Sequence, residues 1–204
     1  MSVDIYLLDL LGVFSFAFFG AYIGLAKKLD LFGIFFCALL SGLGGGTIRE
    51  IMLNRTPVYL TDYSYLFAVV LGVISSIIFY NNFNKIQRYF LVIDAVGLST
   101  FAFIGAQRAD SLHLSAIAIV FFAVITAVGG GIMRDIAIRE IPYVLHKDFY
   151  ASPAIVLGII YALFRDPMHN PWAAYIVIFA IFVLRLLAIR FKFRLWSQKG
   201  QSLP

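Results

Sequence analysis

A single cysteine, Cys37, occurs in 204 residues, so neither an intramolecular disulfide nor a thiolate-held metal cluster is open to this chain. Charge is equally scarce: Asp, Glu, Lys and Arg make up 13% of the sequence, against about 25% in soluble domains. No polar stretch is long enough to form a separate soluble module, which excludes an appended catalytic domain. The three histidines, His113, His146 and His169, show no metal-ligand spacing. No Lys-Ser/Thr pair follows a glycine-rich run in the phosphate-cradling pattern. With no nucleophile–base arrangement either, we expect neither an enzyme nor a bound cofactor.

What is present is apolar. Hydrophobic residues reach 62% and the mean hydropathy is +0.92, more than a soluble surface can accommodate. The sequence therefore reads as an all-α integral membrane protein. Apolar segments fall near 5–26, 32–53, 65–80, 90–109, 114–138, 151–164 and 172–189, close to the roughly 20 residues needed to cross about 30 Å of hydrocarbon. The first segment has no basic stretch before it and is followed by Lys27 and Lys28, which suits a spanning helix rather than a cleaved signal.

The chain repeats itself. Shifted by 85 residues, Asp9 meets Asp94, Phe16-Ala17-Phe18 meets Phe101-Ala102-Phe103, and Gly44-Gly45-Gly46 meets Gly129-Gly130-Gly131. Arg49 then meets Arg134 and Pro57 meets Pro142, and 18 of the 54 pairs from Leu7 to Leu60 are identical without a gap. Three spans per copy force the second copy to enter from the opposite side. The expected architecture is seven transmembrane helices: an inverted 3+3 repeat (1–84 and 85–170), then a seventh helix and basic tail (171–204). Such pairs place a substrate or ion path near the midplane, between the copies.

Charge placement orients the chain. One side carries Lys27, Lys28, Lys85, Arg88, Arg139, Lys147, Arg190, Lys192, Arg194 and Lys199; the other carries Arg55, Arg108 and Arg165. The positive-inside rule puts the N-terminus outside and the C-terminus in the cytoplasm. It also accounts for the net charge of +5, so no nucleic acid is implied. Tyr22, Tyr80, Trp172 and Trp196 suit an interfacial belt, and the tail from Arg190 to Lys199 suits an anionic lipid leaflet.

Each glycine triplet sits in an apolar span and leads into an Arg-acid pair, Arg49-Glu50 or Arg134-Asp135. Three glycines disfavour helix by about 1 kcal/mol each relative to alanine. One reading is a hinge, with helices two and five broken and their freed polar groups facing a cavity. The other is that the glycines let helices cross closely. Charges within spans usually face a cavity and pair with one another. Asp9, Asp94, Glu50 and Asp135 are therefore candidate partners for Arg49 and Arg134, either as a gate or as static locks. Adjacent Arg and acid point to different helix faces, so each Arg is expected to pair with an Asp of another span. Ser41 and Thr126, three residues before each triplet, could line a path or bond back to their own helices.

The paired GGG-(T/I)-(I/M)-R-(E/D)-I motifs in this repeat resemble the prokaryotic branch of the trimeric intracellular cation (TRIC) channels, sequences that also carry a glycine-transporter label. The resemblance runs from about Leu7 to Ile189. It implies a homotrimer in the cell membrane, each subunit conducting potassium, and also sodium, along helices two and five broken at Gly44–Gly46 and Gly129–Gly131. The lysine-containing, inositol-lipid-contacting motif of eukaryotic members is absent here, where Arg49-Glu50-Ile51 stands. The alternative function is secondary transport of glycine or another small amino acid, since rocking inverted repeats suit a carrier equally.

Overall fold

A computed structural model describes residues 3–146, 149–191 and 193. Trp196 and most of the basic tail lie outside the described residues. Among those described the elements are helical: α1 Val3–Ala26, α2 Leu31–Met52, α3 Ser64–Phe79, α4 Phe83–Asp110, α5 Ala116–Ala137, α6 Tyr143–His146, α7 Ser152–Leu163, α8 Arg165–Met168 and α9 Pro171–Phe191, with short 3-10 turns at Val58–Leu60 and Tyr80–Asn82.

Local signals set these boundaries, and they recur at the 85-residue offset. Lys28 (φ 55°) takes the left-handed turn after α1, and Asp30 caps α2 by accepting from the Gly33 amide at 2.8 Å. After α4, His113 (φ 55°) takes the same turn, and Ser115 caps α5 by accepting from the Ala118 amide at 3.3 Å. Both helices end alike. Asn54 and Arg139 are left-handed, at φ 54° and 59°. The next amide returns to the Glu50 or Asp135 carbonyl, at 2.8 Å in each case. Equivalent residues thus start and stop equivalent helices.

The helices α1, α2, α5 and α9 are each long and apolar enough to cross a membrane. The helices α3 (16 residues) and α7 (12 residues) are apolar but shorter, about 24 and 18 Å at 1.5 Å per residue. Large apolar side chains stand exposed along the outer surface, among them Phe36, Phe67, Ile78, Phe121, Ile159 and Phe179. In water such a surface would demand a partner; hydrocarbon removes that demand.

The core is built where small residues let helices approach. Ala17, Ala21, Ala102 and Ala106 are fully buried. The backbone at Gly20 touches the Cys37 carbonyl, and at Gly105 the Phe122 carbonyl. Phe16 and Phe101, equivalent residues of the two copies, meet edge to face with ring centroids 5.1 Å apart.

The hinge expected at the triplets is absent: α2 and α5 run as unbroken α-helix through Gly44–Gly46 and Gly129–Gly131. Packing supplies the reason. A Cβ at Gly45 would collide with the Thr126 carbonyl oxygen, and one at Gly130 with that of Ser41. A Cβ at Gly44 would lie 3.0 Å from the Gly130 Cα. The triplets are where α2 and α5 cross backbone to backbone, so the dispersion gained there offsets glycine's poor helix propensity. No intrahelical hydrogen bond need be surrendered.

Candidate functional site: two related cavities at a helix crossing

The crossing has a cavity on either side. One, about 40 Å³, is bordered by Asp9, Gly46, Arg49, Tyr59, Tyr65, Phe101 and Thr126. The other, about 60 Å³, is bordered by Asp94, Gly131, Arg134, Asp135, Tyr150, Phe16 and Ser41. Nearly every residue of the first has its 85-residue counterpart in the second. Each has room for a few waters, at roughly 10–15 Å³ apiece. Between them stand the Phe16–Phe101 contact and the α2–α5 glycine crossing.

The third glycine of each triplet differs from the first two. A Cβ at Gly46 would find nothing nearer than the Arg49 Nη2 at 3.8 Å, and one at Gly131 nothing nearer than the Arg134 Nη2 at 3.9 Å. These positions keep the cavities open beside the guanidinium groups.

The arginines are buried and neutralised. Arg49 donates through Nε and Nη2 to Glu50 Oε1, at 2.9 and 2.6 Å. Arg134 does the same to Asp135 Oδ1, at 2.8 and 2.6 Å. The expected pairing with an Asp of another span does not occur. Each guanidinium folds back onto the acid that follows it, at the C-terminal end of its own helix. Charge-assisted two-nitrogen pairs of this kind suit a buried site. Second partners differ between the pairs. Asp135 Oδ2 also accepts from the Tyr143 amide at 2.7 Å, whereas Glu50 has Arg108 Nε at 3.9 Å. Arg134 further donates to Ser41 Oγ at 3.3 Å and lies 5.4 Å from the Phe19 ring centre.

Asp9 and Asp94 turn instead to tyrosines. Tyr65 donates to Asp9 Oδ2 at 2.6 Å, and Tyr150, its counterpart, donates to Asp94 Oδ1 at 3.0 Å. Asp94 also has Arg185 Nη2 of α9 at 3.8 Å, with that guanidinium 4.6 Å from the Tyr150 ring centre. All fourteen residues singled out from the sequence thus converge on one crossing and its two cavities. Tyr65, Tyr150 and Arg185 are additions. Continuing the 85-residue register past Leu60 pairs Tyr65 with Tyr150 and is the signal that finds them; nothing in the sequence pairs Arg185 with Asp94.

The glycine transporter family model matches twice, over residues 6–81 and 91–166. The UPF0126 inner membrane protein YadS of Escherichia coli is 32% identical over 197 residues, covering 94% of each chain. Among solved structures, one bearing on conductance through TRIC cation channels matches at TM-score 0.91 and 32% identity, covering both chains completely. The TRIC trimeric intracellular cation channel orthologue of Rhodobacter sphaeroides matches at TM-score 0.82 and 30% identity, covering 94% of this chain and all of that one. The chain belongs to the prokaryotic TRIC channel family. The family model's two matches begin 85 residues apart, as Asp9 and Asp94 do. In this TRIC family member the glycine-transporter wording is a label for the same sequences.

Proposed function

We propose that the protein is a monovalent cation channel, conducting potassium and sodium through each subunit of a homotrimer in the cell membrane. The chain is read as seven spans, an inverted 3+3 repeat closed by α9, with the N-terminus outside and the C-terminus cytoplasmic. The observation carrying this reading is the pair of repeat-related cavities, each with an Asp and an Arg on its wall, on either side of the α2–α5 crossing. In that reading the path runs from the Asp9 cavity, past Phe101 and Phe16, to the Asp94 cavity. Arginines beside a cation path would repel the ion; here Glu50 and Asp135 cancel their charge within hydrogen-bond distance. In this reading the two cavities join when α2 and α5 separate at Gly45 and Gly130. Arg49 and Arg134, which border the cavities at that crossing, are the gating candidates.

The related TRIC structures support the channel reading. Two related cavities on either side of a helix crossing also suit alternating access, so small amino acid transport is the second reading. Single-channel recording of the purified protein in a planar bilayer under a KCl gradient separates them. Discrete openings reversing near the potassium equilibrium potential are expected. Electrical silence from inserted protein, with saturable glycine counterflow, would overturn the channel.

A further inference from the structure

The α7 helix supplies about 18 Å of the roughly 30 Å that hydrocarbon requires. Exposed Asp166 follows within three residues, so the far end of α7 stands at one membrane surface and the shortfall lies at its start. The chain entering α7 must therefore cover about 12 Å at membrane depth. That chain leaves the surface at Glu140, which pairs with Lys27 just beyond α1, both side chains about half exposed. It then runs inward. The Phe149 carbonyl accepts from Arg185 Nη1 at 3.1 Å, and Tyr150 donates to Asp94 at 3.0 Å. Arg185 is buried, and five residues, about 8 Å of helix, separate it from exposed Arg190 in the last turn of α9.

The segment between these points is built for that depth. The Glu140 amide returns to the Asp135 carbonyl at 2.8 Å, the Tyr143 amide to Asp135 Oδ2 at 2.7 Å, and the Leu145 amide to the Pro142 carbonyl at 2.9 Å. Pro142 itself brings no amide. Backbone satisfied inside the protein is what hydrocarbon demands. The side chains divide. Tyr143 and Val144 border the Asp94 cavity, while Ile141 and Leu145 are 70% and 74% exposed. Arg139 and Arg190, both exposed, mark the nearer surface and match the anionic headgroups of a cytoplasmic leaflet. We infer that Ile141 and Leu145 insert among the acyl chains of that leaflet, and that lipid thereby holds residues 140–146 as a strap against the Asp94 cavity. The first copy has Thr56 and Leu60 in these two places, one apolar side chain instead of two. The inference uses the membrane orientation proposed above and is independent of whether the path conducts or carries.

Two labels on the full-length Cys37→Ala protein, in nanodiscs of phosphatidylethanolamine and phosphatidylglycerol, test it. Bimane attached at Leu145→Cys should be quenched by lipids brominated along the acyl chain and spared by aqueous iodide; the opposite pattern would overturn the insertion. Ile132→Cys, which borders the cavity, then reports on the strap. Adding Leu145→Ser should raise its rate of reaction with a charged thiol reagent about tenfold, the factor in an equilibrium that burying a leucine side chain represents. Adding Ile159→Ser instead, at an exposed α7 position away from the cavity, should leave the rate unchanged. No acceleration in Leu145→Ser, or equal acceleration in Ile159→Ser, would refute the strap. Should Leu145→Ser not fold, Ile141→Ser takes its place. Neither readout needs an ionic current, so bilayer recordings judge the channel separately: electrical silence leaves the strap standing, and an iodide-quenched Leu145→Cys label sinks the strap in a protein that conducts.

Discussion

Consider alanine placed at each glycine of a triplet in turn. At Gly45 the new methyl meets the Thr126 carbonyl oxygen, and at Gly130 the Ser41 carbonyl oxygen. These neighbours are backbone of the opposing helix, so the clash is relieved only by moving α2 from α5. Overpacking of this kind costs about 1–3 kcal/mol, of which the better helix propensity of alanine returns at most about 1 kcal/mol. At Gly46 and Gly131 the methyl finds open space, with an arginine Nη2 at 3.8 or 3.9 Å. There the propensity gain stands unopposed. Thermal unfolding in detergent should therefore place Gly45→Ala and Gly130→Ala several degrees below the wild type, and Gly46→Ala and Gly131→Ala at or slightly above it. At about 2–4 °C per kcal/mol for a chain of this size, the groups separate clearly. A hinge predicts otherwise, because alanine at any of the three positions would strengthen helix where helix must yield. Equal effects along the triplet, or an unchanged Gly45→Ala, would refute the crossing argument.

The symmetry also has unequal consequences. Removing one partner of a buried ion pair costs about 3–5 kcal/mol, and Arg134→Ala should approach that, leaving Asp135 the Tyr143 amide among the described residues. Arg49→Ala should cost roughly half as much, since Arg108 is 3.9 Å from Glu50 and can close on it; equal losses would rule out that substitution of partners. Arg134→Ala should further alter open probability or conductance, and unchanged single-channel records would remove it from the gate. In the loop before α3, the Tyr6 hydroxyl and the Ser64 amide donate to Asp62, holding its carboxyl below the usual carboxylate range. The stabilisation is thus present above about pH 4, where an unfolded Asp is ionised, and fades as pH falls through the lower folded value. The gap in thermal midpoint between the wild type and Asp62→Asn should be open at pH 7 and close in acid; a gap constant down to pH 3 would contradict this.

The helices were largely legible in the sequence because their punctuation is local. The apolar runs at 32–53 and 114–138 became α2 and α5 within two residues at each end, since Asp30, Ser115, Asn54 and Arg139 act within a turn of where they sit. The repeat made the site legible too, aligning Asp9, Arg49 and the triplets with their copies before any contact was known. What escaped was three-dimensional. Triplet glycines carry the same composition whether a helix breaks or is crossed, and only the opposing carbonyls of Ser41 and Thr126 decide between the two. Arg49 and Glu50 are neighbours that helix geometry sends apart, yet their side chains meet at the helix end. Arg185 has no counterpart in either copy, so internal comparison could not connect it to Asp94.

That unpaired helix gives the molecule a front and a back. Two matched copies meeting at Phe16 and Phe101 would make a bundle indistinguishable from either end, with each cavity the mirror of the other in chemistry. The α9 helix breaks the tie by donating Arg185 to one copy only. In the channel reading, an ion entering from the Asp9 end meets a carboxylate held by the Tyr65 hydroxyl, and one entering from the other end meets a carboxylate that already has a guanidinium beside it.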